Sequence, residues 1–389
     1  MNLVAKTYAG LEDLLVAELE ALGAKDIVKI RRGVTFTGDT KLLYQCNYQL
    51  RCATRVLINM KVTEIQDEQG LYDAVYKIPW EDYFTVKESF SVDAVVVSDV
   101  FTHSQYVALK TKDAIVDRFR RKYHKRPNVQ RIEPDVKINI YIFQNTLTIS
   151  LDSSGESLHR RNYKVHQVTA PLSEVLAAAM LQLAGYTGEQ DLLDPMCGSG
   201  TLGTEAFMLK RNIPAAYFRT HFCFKQWIHY KPEIWEQVVE EAQQAILEPN
   251  GGVIICRDKQ LSSIRKTEQN FELFEEFGGL DQVVFKRKDF LRSEADKPYL
   301  IIINPPYDDK IEVDDILGFY QEIGTRLKHK FVGSTAWMLS AHFDALKFVG
   351  LSTSKRIELF NGALPVKYMK YELYQGSKKS TESTNEVEE

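Results

Sequence analysis

The tetrapeptide Asn304-Pro305-Pro306-Tyr307 directly follows the apolar run Tyr299-Leu300-Ile301-Ile302-Ile303. Two prolines lock the backbone at that point and so fix where the Asn304 side chain and the Pro305 carbonyl are aimed. Both groups are hydrogen-bond acceptors. A planar amino group pinned by two acceptors has its lone pair, otherwise delocalised into its ring, turned toward an electrophile. Tyr307 offers a flat face on which an extruded base can stack. If the electrophile is a methyl group on a sulfonium, the demand is in-line placement and desolvation, not a strong base. The plain alternative is a Pro-Pro turn that closes a strand.

A second cluster supplies the other half of such chemistry. Asp194-Pro195-Met196-Cys197-Gly198-Ser199-Gly200-Thr201 follows the short apolar run Leu192-Leu193. Gly198 and Gly200 permit positive φ and close approach of a ligand, and the helix that follows offers free N–H groups. Residues 198–203 also fit G-x-G-x-x-G, the dinucleotide fingerprint, which expects an acid about 20 residues further on. The acid that ends the next apolar strand is Asp258, much further along. Asp194 would also repel a pyrophosphate, whereas a carboxylate suits a ligand with a cationic amine and a sulfonium. Asp258 is placed to accept hydrogen bonds from ribose hydroxyls, or else to cap the helix after it. Asp289 could meet an adenine amino group with Phe290 covering the ring, or serve as a turn residue. In an open parallel α/β sheet, ligands bind beyond the carboxyl ends of the strands. Four polar strand ends in succession, Asp194, Asp258, Asp289 and Asn304, therefore describe one site.

Competing chemistries lack their residues. Methylation at pyrimidine C5 needs a cysteine nucleophile, and no Pro-Cys or Thr-Cys pair occurs in the chain. There is no Walker A sequence, and the eight histidines form no metal-ligand spacing. The five cysteines, Cys46, Cys52, Cys197, Cys223 and Cys256, form no C-x-x-C pair, which argues for reduced, structural thiols and against a disulfide framework or zinc site.

The elements that must position these residues fall in two halves. From residue 171 onward, continuous apolar runs at 191–193, 252–255, 282–285 and 299–303 alternate with helical segments, the pattern of a parallel sheet covered on both faces. Ser173 can cap a helix over 174–184. Further strands are expected at 335–340, then 357–360 and 367–373 as an antiparallel pair around Asn361-Gly362. The first half reads as α+β: strands at 2–8, 33–37, 55–63, 90–97, 136–142 and 146–151, with helices over 11–22, between the second and third strands, and around 104–122. Residues 152–170 read as a connector, and the Ser/Thr/Lys/Glu-rich tail 376–389 as disordered.

A length of 389 residues suggests two or three domains, and 44% hydrophobic with 26% charged residues is the composition of a soluble globular protein. No apolar run approaches the length of a membrane span, and the first residues lack a signal-peptide core, so the cytoplasm is the expected location. The net charge of −4 announces no nucleic-acid partner, but its distribution says more. Residues 110–131 carry nine Lys/Arg against two Asp, including Arg118, Arg120, Arg121, Lys122, Lys125 and Arg126. Such a run can neutralise phosphates, or it can be a solvated helix face. The connector has its own basic centre, with Arg160 and Arg161.

These features together resemble the bacterial THUMP-domain RNA methyltransferases, in particular the family of 23S rRNA guanine-N2 methyltransferases in its stand-alone form. The resemblance rests on Leu158-His159-Arg160-Arg161 with Ala170-Pro171-Leu172, on residues 194–201, on the insert Phe222-Cys223-Phe224-Lys225-Gln226-Trp227, on residues 304–307, and on Asn361-Gly362-Ala363-Leu364. It implies a Rossmann-like class I methyltransferase domain over 171–375, with a mostly parallel seven-stranded sheet ending in an antiparallel hairpin. Ahead of it would lie a ferredoxin-like element (1–44), a THUMP RNA-binding domain (45–155) and a linker (156–170). The resemblance implies S-adenosylmethionine as cofactor, held by Asp194, Pro195, Cys197, Gly198, Ser199, Gly200 and Thr201, with Asp258 at its ribose and Asp289 at its adenine. Residues 304–307 would hold the target base, and the basic residues would meet RNA. No metal, membrane or particular oligomeric state is implied. Where the family continues with Gly-Glu-Arg, this chain reads Asp308-Asp309-Lys310-Ile311-Glu312-Val313-Asp314-Asp315.

Overall fold

The computed structural model describes residues 1–164, 172–306 and 315–375, which form two compact units. The tail 376–389 and most of the acidic stretch after Tyr307, on which sequence expectations fell, lie outside the described residues. The first unit comprises residues 1–161 and 214–244, the second 162–213 and 245–389.

In the first unit one sheet runs through seven strands: β1 (Asn2–Lys6), β2 (Lys25–Ile30), β3 (Gly33–Thr37), β4 (Arg55–Glu64), β5 (Phe90–Val97), β6 (Val136–Phe143) and β7 (Thr146–Asp152), in the order β2-β3-β1-β4-β7-β6-β5. The sheet does not break near residue 44. β4 pairs with β1 on one side and β7 on the other, so the two expected N-terminal pieces share a strand. Alternation explains the burial: in β6 every second residue from Val136 to Ile142 is buried, so one sheet face packs inward. Helix Ser104–Tyr123 buries Val107, Thr111, Ala114, Ile115 and Phe119 and turns its charged residues outward.

Residues 214–244, expected within the catalytic domain, pack into this first unit. The cause is aromatic. Phe224 stacks on Tyr44 at 4.4 Å between ring centroids, and Trp235 meets Tyr48 at 5.4 Å. Arg219 adds donors to the Ser154 and Glu156 carbonyls at 2.8 and 2.7 Å.

The second unit carries β8 (Leu192–Asp194), β9 (Ile254–Asp258), β10 (Val283–Arg287), β11 (Leu300–Ile303), β12 (Thr335–Ser340), β13 (Thr353–Asn361) and β14 (Leu364–Glu372), ordered β10-β9-β8-β11-β12-β14-β13. The first five are parallel, and β14 lies antiparallel to both β12 and β13. The mostly parallel sheet with a terminal antiparallel hairpin is thus present. Helix Glu174–Leu183 is buried almost throughout, because its Leu-Ala-Ala-Ala-Met run offers small side chains for close packing against the helix over Thr201–Lys210. No described helix is long and apolar enough to cross a membrane.

Candidate active site

Strand order in the second unit reverses between β8 and β11: the chain proceeds from β8 to β9 and β10 on one side, while β11 and β12 lie on the other. Ligands bind at such a switch point, outside the carboxyl ends of the strands. Asp194 ends β8, and Asn304 follows the last residue of β11. The two motifs singled out in the sequence therefore stand on adjacent strands.

After Asp194 the chain turns sharply into helix Thr201–Lys210, with Gly198 at φ 57° and Gly200 at φ 81°. That region is open to glycine and strained for other residues. A Cβ on Gly200 would overlap the Thr267 methyl. The loop is tied down from several sides. The Cys197 amide donates to the Arg257 carbonyl at 2.9 Å, and the Gly198 amide to Asp258 Oδ2 at 3.1 Å. Cys197, Ser199 and Thr201 are buried. The thiol of Cys197 is held protonated by its hydrogen bond to Cys256 and by burial, so it is a packing group and not a nucleophile.

Two carboxylates face this loop. Asp194 is 2% exposed; burial pushes its carboxyl up to about 8, the Asp258 charge adds to the shift, and the Met196 amide, donating at 3.3 Å, opposes it. Asp258 is half-buried and likewise raised, chiefly by burial. Its Oδ1 accepts from the Gln260 amide at 2.8 Å, and the Ser263 hydroxyl also hydrogen-bonds to the carboxylate. Two crowded acids whose burial favours the neutral form suit a ligand that brings positive charge and hydroxyl donors. A glycine cradle beside them that no side chain could fill suits close approach of that ligand.

The third and fourth strand ends differ from each other. Asp289 caps a short turn over Phe290–Arg292, accepting from the Leu291 amide at 3.1 Å. The ring of Phe290 is 3% exposed and packs on Phe331 at 5.2 Å within the core. Phe290 therefore does not lie open as a cover for an adenine: the turn that Asp289 caps sends the ring inward. Asn304 directly follows the last residue of β11. Its Oδ1 is buried and accepts no hydrogen bond among the described residues. Pro305 is buried and Pro306 half-buried, while Tyr307 lies outside the described residues.

The basic residues divide as well. Arg118 grips Glu81 with two hydrogen bonds, at 2.6 and 2.7 Å, and holds that carboxyl down at about 2. Lys122 joins the same carboxylate at 2.8 Å. Arg161 is 1% exposed and donates to the Arg51 carbonyl at 2.7 Å, so it is a structural residue and not part of a surface. Arg120, Arg121, Lys125, Arg126 and Arg160 are exposed. Sequence reasoning missed Thr267 and Asn270, both fully buried, which touch the glycine loop from the helix Leu261–Phe271. The available signal was their place on the inward face of that helix, in phase with Ile264 and Phe271. Among the described residues no group of three or more His, Cys, Asp or Glu could hold a metal.

Such a crevice, with a glycine turn after one strand end, an acid at each of two neighbouring strand ends and an amide acceptor just beyond a third, defines a class I S-adenosylmethionine-dependent methyltransferase. Comparison with known proteins agrees. Residues 161–370 match the family described as RMKL-like, methyltransferase domain; residues 66–152 match the THUMP domain, and residues 2–57 the RlmL ferredoxin-like domain. The last match reaches beyond the expected 1–44, as the shared strand β4 requires. The chain is 37% identical over 372 residues to "Putative RNA methyltransferase slr0064" of Synechocystis sp., covering 95% of this chain and 96% of that one. It is 34% identical over 380 residues to the ribosomal RNA large subunit methyltransferase K/L of Syntrophotalea carbinolica, covering 94% of this chain. It spans only about half of that relative, 52% of its length. The solved structure of SMU.472, described as "a putative methyltransferase", in complex with SAH (S-adenosylhomocysteine), superposes with a TM-score of 0.84 at 26% identity over 97% of this chain and 99% of that one. The chain belongs to the RMKL-like family of THUMP-domain RNA methyltransferases, and S-adenosylmethionine is its methyl donor.

Proposed function

We propose that the chain methylates an exocyclic amine of a base in large-subunit ribosomal RNA, the N2 of a guanine in 23S rRNA. The observation that carries the reading is the buried, unsatisfied Oδ1 of Asn304 at the carboxyl end of β11, beside the strand that ends in Asp194. The ribosomal substrate is supported by the name of the relative from Syntrophotalea carbinolica and by that of a second one from Cellvibrio japonicus, 35% identical over 372 residues, of which this chain again covers about half (49%). S-adenosylmethionine, when bound, supplies a methyl carbon made electrophilic by its positive sulfur.

The residues around the loop 194–200 hold the donor. Asp194, held largely neutral by burial, is drawn into its ionised form by a cationic ligand, and Asp258 offers its remaining acceptor capacity to a ribose hydroxyl. Asn304 Oδ1 and the Pro305 carbonyl accept the two N–H bonds of the base amine and keep its lone pair directed at the methyl carbon. Tyr307 provides the stacking face. The protein places and dehydrates the two partners, the contribution that such a transfer requires. Exposed cations of the helix Ser104–Tyr123 and the residues just after it neutralise RNA phosphates.

Nucleoside-resolved mass spectrometry of RNA treated with the protein and labelled S-adenosylmethionine tests the proposal. Label in N2-methylguanosine of 23S rRNA supports it. Label in N6-methyladenosine or in transfer RNA would replace the proposed substrate, and absence of label would mark a binding protein and not an enzyme.

A further inference from the structure

We propose that Thr267 and Asn270, on the helix that follows β9, are positioning residues for the methyl donor: they set the backbone of the loop 197–200 from behind. The proposal rests on the assignment of that loop to S-adenosylmethionine. Both side chains are polar and fully buried, 0% exposed, on a helix whose buried face they share with Ser263, Ile264 and Phe271. Buried polar groups on such a face need partners, and these find them in the loop. Asn270 Nδ2 donates to the Ser199 carbonyl at 3.0 Å. Thr267 Oγ1 lies 3.1 Å from the Gly198 carbonyl and 3.1 Å from the Ser263 carbonyl of its own helix. A hydroxyl has one proton, so the loop competes with an ordinary turn-back bond within the helix. The methyl group of Thr267 blocks the space beside Gly200 that a Cβ would need, and its oxygen is 3.7 Å from Cys197 Sγ.

Consecutive carbonyls, those of Gly198 and Ser199, are thus both drawn toward one helix. A peptide carbonyl fixed on one side fixes the direction of the N–H across the same planar peptide unit. Holding these two carbonyls inward therefore orients the Ser199 and Gly200 peptide units at the mouth of the helix Thr201–Lys210. Neither residue needs to touch the donor to do this. The hydroxyl does the orienting and the methyl does the packing, which lets the two be separated.

Calorimetric titration of the full chain with S-adenosylhomocysteine, paired with steady-state kinetics in S-adenosylmethionine and a melting temperature, provides the test. Thr267→Val keeps the shape and removes the hydroxyl, and Thr267→Ser does the reverse. The expected result is a roughly tenfold weaker Kd and a comparably raised KM for Thr267→Val, with a smaller change in kcat, as for loss of a hydrogen bond to a buried carbonyl. Thr267→Ser should bind within about threefold of wild type by the same measure, even if it melts lower. Asn270→Leu should resemble Thr267→Val; if it fails to fold, the Thr267 pair alone decides. Equal Kd and KM in wild type and Thr267→Val overturns the proposal, as does loss of affinity in Val and Ser alike in proportion to melting temperature. Asp258→Ala serves as the control for the site itself. If that variant binds as wild type does, the donor does not occupy this loop, and the underlying assignment fails along with the proposal.

Discussion

At the scale of single residues, the proposed methyl transfer turns on one buried acceptor and one buried acid. Replacing Asn304 with Ala removes the acceptor but leaves the loop 194–200 intact, so methyl transfer should fall at least a hundredfold while affinity for S-adenosylhomocysteine stays within about threefold of wild type. An interaction made only in the transition state behaves in this way. Asp194 gives a prediction with a sign. Its carboxyl, raised to about 8, is protonated in the free protein at neutral pH, and the cationic end of the donor favours the ionised form. Donor binding should therefore release a proton and tighten as pH rises from about 6 to 8, and Asp194→Asn should abolish both effects in calorimetry across buffers of different ionisation enthalpy. In the free protein the sign runs the other way. An acid whose folded pKa lies above its unfolded one contributes stability that is full below pH about 4 and lost as pH rises through about 8. The melting temperature of the ligand-free wild type should thus lose more over that range than that of Asp194→Asn. That Asp194, Asp258 and Asn304 stand at strand ends was legible because each closes an apolar run. The packing of the Phe290 ring on Phe331 was not legible, because a strand end tells where a residue sits and not which way a capped turn sends its ring.

At the scale of elements, the parallel strands were legible because runs such as Leu300–Ile303 are apolar at every position, which only a strand buried on both faces can use. The edge strand Lys25–Ile30 escaped notice: Lys-Asp-Ile-Val-Lys-Ile is largely exposed and carries no inward face to betray it. The short helix Glu68–Tyr76 escaped too, although Asp67 caps it by accepting from the Gly70 amide at 2.8 Å. The entry to helix Glu174–Leu183 holds a buried ion pair, Lys164 Nζ to Glu174 Oε1 at 2.7 Å, that no pattern of periodicity announces. Breaking a buried pair by removing one partner leaves an uncompensated charge. Glu174→Gln should therefore destabilise the second unit by about 3 kcal/mol in denaturant unfolding, whereas exposed pairs such as Lys347 with Asp344 should contribute almost nothing.

For the whole molecule, a division into two units was legible from the change in pattern near residue 171, but the composition of each unit was not. Residues 214–244 belong to the first unit through ring contacts with Tyr44 and Tyr48, and contacts between residues so distant in sequence leave no local trace. The basic run was legible as charge, yet only the structure separates the half-buried Arg118, committed to Glu81, from the exposed Arg120, Arg121, Lys125 and Arg126. Changing those four to Gln should weaken RNA binding and flatten its salt dependence, by about 0.7 to 0.9 in the log–log slope for each phosphate no longer neutralised. Affinity for S-adenosylhomocysteine should not change. The central claim, methyl transfer to a base amine of ribosomal RNA through the Asn304 acceptor, is tested most directly by mass spectrometry of 23S rRNA nucleosides from cells lacking the gene. The N2-methylguanosine signal should fall, return with the wild-type gene and stay low with Asn304→Ala; an unchanged signal on deletion, or full restoration by Asn304→Ala, would contradict that claim.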